Sequence, residues 1–325
     1  MSALPEPRTP VLRTSHDALL VRAARKQTML AMFPPLTRSP PHKEARATLI
    51  AIGTDALASL DSIFGDAQAD RDVRLHAPRT IGFFPPRAAS SVLMRHLDTA
   101  LDGSLTYRVL RALGSCRAAD PSLTLDDGVL ARCLDQTLTD TFRLLDQRLA
   151  LERGAIGDAT RATPVHGLLV DLLRHRQARA TERLFRLVGL LFPREDARSL
   201  YRGIRDPSPK VRDSSRELLE HLLEPALQGA VLALVDDIVD EERLTRADPF
   251  YDRPGIGYVG TLSELLERGE YGDVALVATH IGEVGAGELA PSLEGWRTSA
   301  SPTVGEAVER ALAQLGRLEV APDGP

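Results

Sequence analysis

A glycine-rich segment near the C-terminal end has the spacing most readily linked to chemistry. Residues 255–260 read Gly-Ile-Gly-Tyr-Val-Gly, the G-x-G-x-x-G pattern in which glycines let a backbone approach a dinucleotide pyrophosphate at a helix N-terminus. That motif needs a buried strand directly before it. Residues 248–254 contain Pro249 and Pro254, which lack the N–H group that a central strand donates. We therefore interpret the segment as a loop between helices, with nucleotide binding as the alternative.

Acidic and histidine residues supply the other candidates for a site. An acidic cluster is formed by Asp236, Asp237, Asp240, Glu241 and Glu242. A calcium loop would need converging oxygens and a glycine at a fixed offset; the glycine is missing, so we expect a solvated helix end. The eight histidines contain neither H-x-x-x-H nor H-E-x-x-H, which excludes a zincin-type site. For His280 and Glu283, packing is the preferred interpretation and an acid–base couple is the alternative.

The two cysteines, Cys116 and Cys133, give no support for redox or nucleophilic chemistry. They do not form a C-x-x-C pair, and together they allow at most one disulfide. Cys133 falls on the apolar positions of its helix and is interpreted as a core residue. The sequence also lacks a G-x-S-x-G elbow and a phosphate-binding P-loop. We therefore predict a non-enzymatic protein with no catalytic residue, no cofactor and no metal.

Composition favours a helical protein. The chain has 325 residues, of which 43% are hydrophobic and only 4% aromatic, and a Leu- and Ala-rich core suits packing of helix on helix. The formal net charge of −5 argues against a dedicated nucleic-acid binder. Apolar runs fall short of the roughly 20 residues that a membrane span needs. The cysteine usage and the proline-rich N-terminus predict a cytoplasmic location.

A turn followed by an amphipathic helix recurs along the chain. The clearest copy is 206–223, DPSPKVRDSSRELLEHLL, where two X-Pro pairs favour a turn. Its helix has one apolar face, made of Val211, Leu218, Leu219 and Leu222. Similar starts occur at Asp70, Asp102 and Ser301. Arg74 and Arg108 are 34 residues apart, and Arg108 and Arg212 are 104 apart, close to three such periods. A period of this length is typical of an α-solenoid.

These segments resemble a known family. VRLHAPRTIG at 73–82, LTYRVLRAL at 105–113 and the long stretch 183–223 are similar to HEAT regions found fused to bacterial transporter-like membrane proteins. The resemblance covers roughly residues 45–240. It implies a solenoid of HEAT-like helix pairs that packs against protein partners, and it implies no catalytic residues. The last repeat departs from the pattern because Gly305 stands where the arginine would be.

The predicted organisation has three parts. Residues 1–40 form an N-terminal extension with one basic helix, 41–320 form the solenoid, and 321–325 form a disordered tail. A long antiparallel hairpin, at about 123–192, interrupts the repeat. Its helices are predicted at 123–152 and 165–192, with Gly154 and Gly157 ending the first.

Three arginines near the middle of the second hairpin helix, Arg174, Arg176 and Arg179, are the candidate interaction surface. A solvated face is the alternative explanation of their charge. We predict a HEAT-repeat scaffold that mediates protein–protein interaction and regulates or assembles a membrane transport or signalling system. It would reach the membrane only through its partner and bind no nucleic acid. The alternative is a HEAT-like enzyme, either phycobilin-lyase-like or DNA-glycosylase-like.

Overall fold

The computed structural model describes residues 41–99, 101–269, 271–299 and 301–320. Across these residues the chain consists of fifteen α-helices and two short 3₁₀ turns, with no β-strand. The predicted all-α class is therefore confirmed. The predicted basic N-terminal helix within 1–40 and the predicted tail 321–325 lie outside the described residues.

The described helices before residue 127 form one compact unit. They are α1 (Pro41–Ile52), α2 (Thr54–Gly65), α3 (Arg71–Ile81), α4 (Pro86–Leu97) and α5 (Gly103–Ala119). Their apolar faces meet in a core whose fully covered members include Leu60, Phe64, Ile81, Leu93, Leu110 and Leu113. The predicted first helix pair, at 43–52 and 55–64, corresponds to α1 and α2.

Aspartate side chains start two of these helices, as the recurring turn predicted. Asp70 Oδ1 accepts hydrogen bonds from the backbone N–H groups of Asp72 and Val73, at 2.9 and 3.1 Å. Asp102 Oδ1 does the same for Ser104 and Leu105, at 2.8 and 2.9 Å. Each carboxylate satisfies N–H groups that have no partner within the helix. Asp102 also accepts from Arg71 at 3.1 Å, so the starts of α3 and α5 are held together.

The helices from residue 127 onward form a second compact unit. They are α6 (Asp127–Gly157), α7 (Pro164–Leu191), α8 (Ala197–Gly203), α9 (Pro209–Leu222), α10 (Pro225–Val235), α11 (Asp240–Thr245), α12 (Tyr258–Arg268), α13 (Tyr271–Val284), α14 (Ala290–Glu294) and α15 (Pro302–Val320). Short 3₁₀ turns follow α6 and α13. The predicted starts of α9 and α15 are confirmed.

The long hairpin is made of α6 and α7, which pack side by side along their lengths. A link of six residues, 158–163, makes them antiparallel. Thr163 caps α7, and Pro164 takes the first-turn position that the sequence predicted. The prediction that Gly154 and Gly157 end α6 was wrong for Gly154, because α6 continues through it to Gly157. Tertiary packing of another side chain on Gly154, described below, outweighs its low helix propensity.

An apolar core lies where one end of this hairpin meets the C-terminal helices. Leu151 of α6 and Leu169 and Leu173 of α7 are buried with side chains of α12, α13 and α15. Those side chains include Leu262, Leu266, Val274, Val277, Ile281, Val304 and Val308. The hairpin is thus anchored by apolar burial to the last third of the second unit.

The described helices are short or polar compared with membrane-spanning helices. None of them is by itself both long enough and apolar enough to cross a bilayer. One bent pair, 46–52 with α2, reaches the required length and composition only when its two parts are taken together across a 117° bend.

We predict that Asp102→Ala lowers the free energy of unfolding by about 1 kcal/mol, because it removes the N-cap of α5. Asp102→Asn should keep most of that stability, because asparagine caps helices about as well as aspartate does. This substitution removes only the exposed ion pair with Arg71. Urea denaturation followed by circular dichroism measures both variants. Equal losses would show that the charge, and not the cap, stabilises this helix start.

Candidate functional site

The outer side of α7 is a continuous solvent-exposed face. Its members recur every three to four residues and comprise Leu168, Asp171, Arg174, His175, Ala178 and Arg179. The opposite side, with Leu169, Leu173, Ala180 and Leu184, is buried against the rest of the unit. We name the exposed set the α7 outer face. It contains two of the three arginines that the sequence singled out, and Leu168, whose exposed fraction of 56% is large for a leucine.

The third arginine, Arg176, lies on a different side of the helix and pairs with Asp273 of α13. Arg174 and Arg176, two residues apart, are turned about 200° from each other around the helix, so they lie at opposite edges of its exposed side. Arg174 instead pairs with Asp171 at 2.8 Å and with Glu152 at 3.2 Å, and Arg179 pairs with Glu182 at 3.4 Å. The candidate interaction surface stays a prediction, and its exposed part is Arg174 with Arg179.

The carboxylates of the acidic cluster, which lie in and just before α11, form ion pairs with arginines. Asp240 pairs with Arg148 and with Arg243. Further pairs join Asp236 to Arg216, Glu241 to Arg153 and Glu242 to Arg246. Four of the five carboxylates are therefore paired with guanidinium groups. Two of these guanidinium groups, those of Arg148 and Arg153, belong to α6. Among the described residues, no group of three or more His, Cys, Asp or Glu side chains is arranged to hold a metal ion.

A buried carboxylate holds the segment that leads into α12. Asp146 of α6 is 3% exposed and accepts hydrogen bonds from Tyr251 Oη at 3.1 Å and from Arg253 Nε at 2.8 Å. Burial, together with the charge of Asp146, raises the pKa of Tyr251. Tyr251 therefore stays a neutral donor to this carboxylate. Thr139 of α6 adds a third anchor, because its hydroxyl donates to the backbone oxygen of Phe250 at 2.8 Å.

The glycine-rich segment at 255–260 follows these anchors. Residues 251–257 have no regular secondary structure, and α12 begins at Tyr258. Gly255 has a φ of 64°, a left-handed conformation that glycine adopts without steric cost. Gly260 lies inside α12. Since no strand precedes the motif in the described residues, the geometry matches the interpretation of an inter-helix loop.

A buried polar cluster lies between the hairpin and α12–α13. His280 of α13 is fully buried, with Nδ1 3.1 Å from Thr163 Oγ1 and Nε2 in a hydrogen bond with the Tyr258 hydroxyl. His166 is also buried, its ring centroid lies 5.7 Å from that of His280, and its Nδ1 has no hydrogen-bond partner in the described residues. Arg161 covers the Tyr258 ring at 4.4 Å. The cluster joins four segments of the second unit at one point.

Burial sets the protonation of this cluster. It lowers the pKa of His280 to about 4, with the neighbouring His166 contributing in the same direction and Glu283 opposing it. It also lowers the pKa of His166, and it raises the pKa of Tyr258 to about 12. All three side chains are therefore neutral near pH 7. Because His280 is covered from solvent, this arrangement suits positioning of helices better than contact with a substrate.

The cluster is not evident in the sequence. Thr163 and His280 are separated by 117 residues, so no local spacing signals their contact. Packing was the preferred interpretation of His280, and the structure shows Glu283 only 3.8 Å from its Nδ1. Cys116 is buried, Cys133 is partly buried, and burial raises the thiol pKa of each. Raised pKa values make both poor nucleophiles near neutral pH.

The comparisons with known proteins leave the family open. No protein-family model matches the chain, and no curated protein matches it either. The resemblance to HEAT regions therefore stays a prediction from the residues that carry it.

We predict that Gly154→Ala destabilises the protein by about 2 kcal/mol or more. A Cβ at position 154 would lie 2.2 Å from Cδ2 of Tyr258, so the ring or the helix must shift, as in an overpacked core. Gly157→Ala is the matched control at the same end of α6, because its Cβ would meet nothing within 4 Å. Thermal and urea unfolding of the two variants should differ clearly. A neutral Gly154→Ala would contradict the tight packing of Tyr258.

We also predict that stability falls as the pH is lowered from about 6.5 to about 4. The folded pKa of His280 lies below its unfolded value, so the unfolded state binds more protons in this window and acid favours unfolding. The contribution is up to about 3 kcal/mol. His280→Gln, which cannot be protonated, should flatten the wild-type difference between the two pH values. Urea unfolding at both pH values measures the free energy of unfolding. An equal loss of this free energy in the wild type and in the variant would contradict the prediction.

Proposed function

We propose that the chain is a non-enzymatic helical scaffold that binds a protein partner through the α7 outer face. The observation that carries the proposal is the exposure of Leu168 together with Arg174 and Arg179 on one side of a helix held rigidly by its other side. From Leu168 to Arg179 this face extends about 17 Å. Arginine is enriched at protein–protein interfaces, and one face of a helix is a recurring recognition element.

The arginines on this face are held in place by neighbouring carboxylates. Arg174 contacts Asp171 on its own helix and Glu152 on α6, and Arg179 contacts Glu182. Exposed pairs of this kind contribute little to stability, so their guanidinium groups can exchange partners on binding. A partner with carboxylates around an apolar contact would match this surface.

The wider proposal follows from the resemblance. We propose that the helix pairs belong to a HEAT-like α-solenoid, with the α6–α7 hairpin as an insertion, and that the scaffold regulates or assembles a membrane transport or signalling system from the cytoplasm. The aspartate-capped helix starts at Asp70 and Asp102 support the repeat interpretation. The membrane link rests on the sequence resemblance alone.

The HEAT-like enzyme remains the alternative, with the buried cluster around His280 as its supporting observation. A phycobilin-lyase-like protein would carry pigment, which the visible absorbance of the purified protein would reveal. A glycosylase-like protein needs a basic surface for DNA, whereas the formal net charge of this chain is −5. The scaffold is therefore the better supported of the two.

We predict that Arg174→Glu combined with Arg179→Glu weakens partner binding at least tenfold, since each reversal places a carboxylate where the partner's acidic groups would lie. The measurement is affinity capture from the native lysate, with detergent-solubilised membranes included and bound proteins quantified by mass spectrometry. Arg87→Glu with Arg95→Glu, an equal charge change at exposed positions of α4, is the control. Arg176 is left unchanged because its partner Asp273 is buried, so reversing it would set two carboxylates against each other away from solvent.

A protein recovered stoichiometrically by wild type and by the α4 variant, and lost with the α7 variant, supports the proposal. Recovery that is equal in all three proteins would exclude the α7 outer face as the binding surface. A bait that captures no protein in stoichiometric amount would contradict the scaffold and favour the enzyme alternative.

A further inference from the structure

One side of α9 carries apolar side chains that the rest of the unit covers only in part. Val211 and Leu218 are 41% and 39% exposed, and a spacing of seven residues puts them on the same side of the helix. Ser214, between them, is exposed as well. Only Leu219 of this helix is fully buried. The sequence predicted one apolar face including Val211, Leu218, Leu219 and Leu222, and the structure buries only Leu219 of this face completely.

The side of α9 that bears Ser215 packs against α8, and two arginines of α9 are paired within the same unit. Gly203 of α8 approaches so closely that a Cβ there would lie 2.1 Å from Ser215 Oγ. Arg212 donates to the backbone oxygens of Asp206 and Pro207, at 2.9 and 2.8 Å. Arg216 pairs with Glu220 at 3.0 Å and with Asp236 at 3.2 Å. These charges are therefore used to hold the helix in its own unit.

Lys210 and Glu217 differ from those arginines. Both are exposed, and they too are seven residues apart, so they form a charged strip alongside Val211 and Leu218. No ion pair or side-chain hydrogen bond engages either of them within the described part of the chain. The strip is positive at the N-terminal end of α9 and negative at its C-terminal end.

We propose that the exposed side of α9 binds α9 of a second copy of this chain in antiparallel orientation. Reversal of the partner helix sets apolar strip against apolar strip and brings Lys210 next to the partner's Glu217. The two-fold axis of such a dimer repeats that pair, so each copy contributes one lysine and one glutamate. A parallel two-fold arrangement would place the two charged strips on opposite flanks of the contact, so it would form no pair between Lys210 and Glu217. Ser214, near the axis, is small enough for the helices to approach.

The dimer is weak because the contact is small. A helix of 14 residues is about 21 Å long, and one face of it buries less than the roughly 800 Å² per partner of a standard stable interface. Association is therefore expected in the micromolar range. The proposal is independent of the α7 outer face, which is a different surface on a different helix.

The test is sedimentation equilibrium of the full chain from about 1 to about 500 µM, a range that brackets a micromolar dissociation constant. Wild type is expected to pass from monomer to dimer. Leu218→Glu should remain monomeric throughout, while Ile156→Glu, an equal change at an exposed apolar residue of α6, should dimerise like wild type. Circular dichroism confirms that the variants are folded, which is expected because both positions are exposed.

Charge exchange identifies the pairing. Lys210→Glu alone and Glu217→Lys alone should each weaken association about tenfold, since every substitution occurs twice in the dimer. The double variant with both exchanges restores two opposite-charge pairs and should return to within about threefold of wild type. A wild-type chain that stays monomeric, dimers unaffected by Leu218→Glu, or a double variant as weak as the single ones would each overturn the proposal.

Discussion

The second unit depends on how charge is accommodated along α6. A buried charged group is tolerated only where hydrogen bonds and an opposite charge replace the water that it loses. Asp146 meets that condition through Tyr251 and Arg253, and Arg148 meets it through Glu152 and Asp240. Three of these partners, Tyr251, Arg253 and Asp240, lie in the stretch 236–257, which precedes α12. One side of α6 therefore packs on α7 through apolar side chains. Another side holds the stretch 236–257 through charged groups, and this contact positions α12 at the apolar core.

Local chemistry made much of the fold predictable. An aspartate or an X-Pro pair before an apolar helix face is sufficient to start a helix, so the beginnings of α3, α5, α9 and α15 follow from neighbouring residues alone. The short helix α11 lies in a polar stretch that has few regularly spaced apolar side chains. Its stability comes from distant partners such as Arg148, 92 residues away from Asp240, and a local pattern cannot contain that information.

The candidate sites were less predictable than the helices, for a combinatorial reason. The chain has 40 basic and 45 acidic residues, so each arginine has many carboxylates with which it could pair. Helix geometry alone separates Arg176 from Arg174, but only the tertiary structure shows that Asp273 receives it. In the same way, the sequence contains His166, Tyr258 and His280 without any indication that they meet. The candidate binding surfaces on α7 and α9 consist of side chains that remain exposed after the helices have packed, so they too depend on the tertiary structure.

The contact between Gly154 and Tyr258 also constrains how this protein can evolve. The ring occupies the space that any side chain at position 154 would need, while its hydroxyl is committed to His280. A lineage that acquires a larger residue at 154 must first give up the aromatic ring at 258, and with it the partner of the histidine. Positions 154, 258 and 280 should therefore change together among related sequences, and a glycine retained inside a long helix is the mark of that linkage.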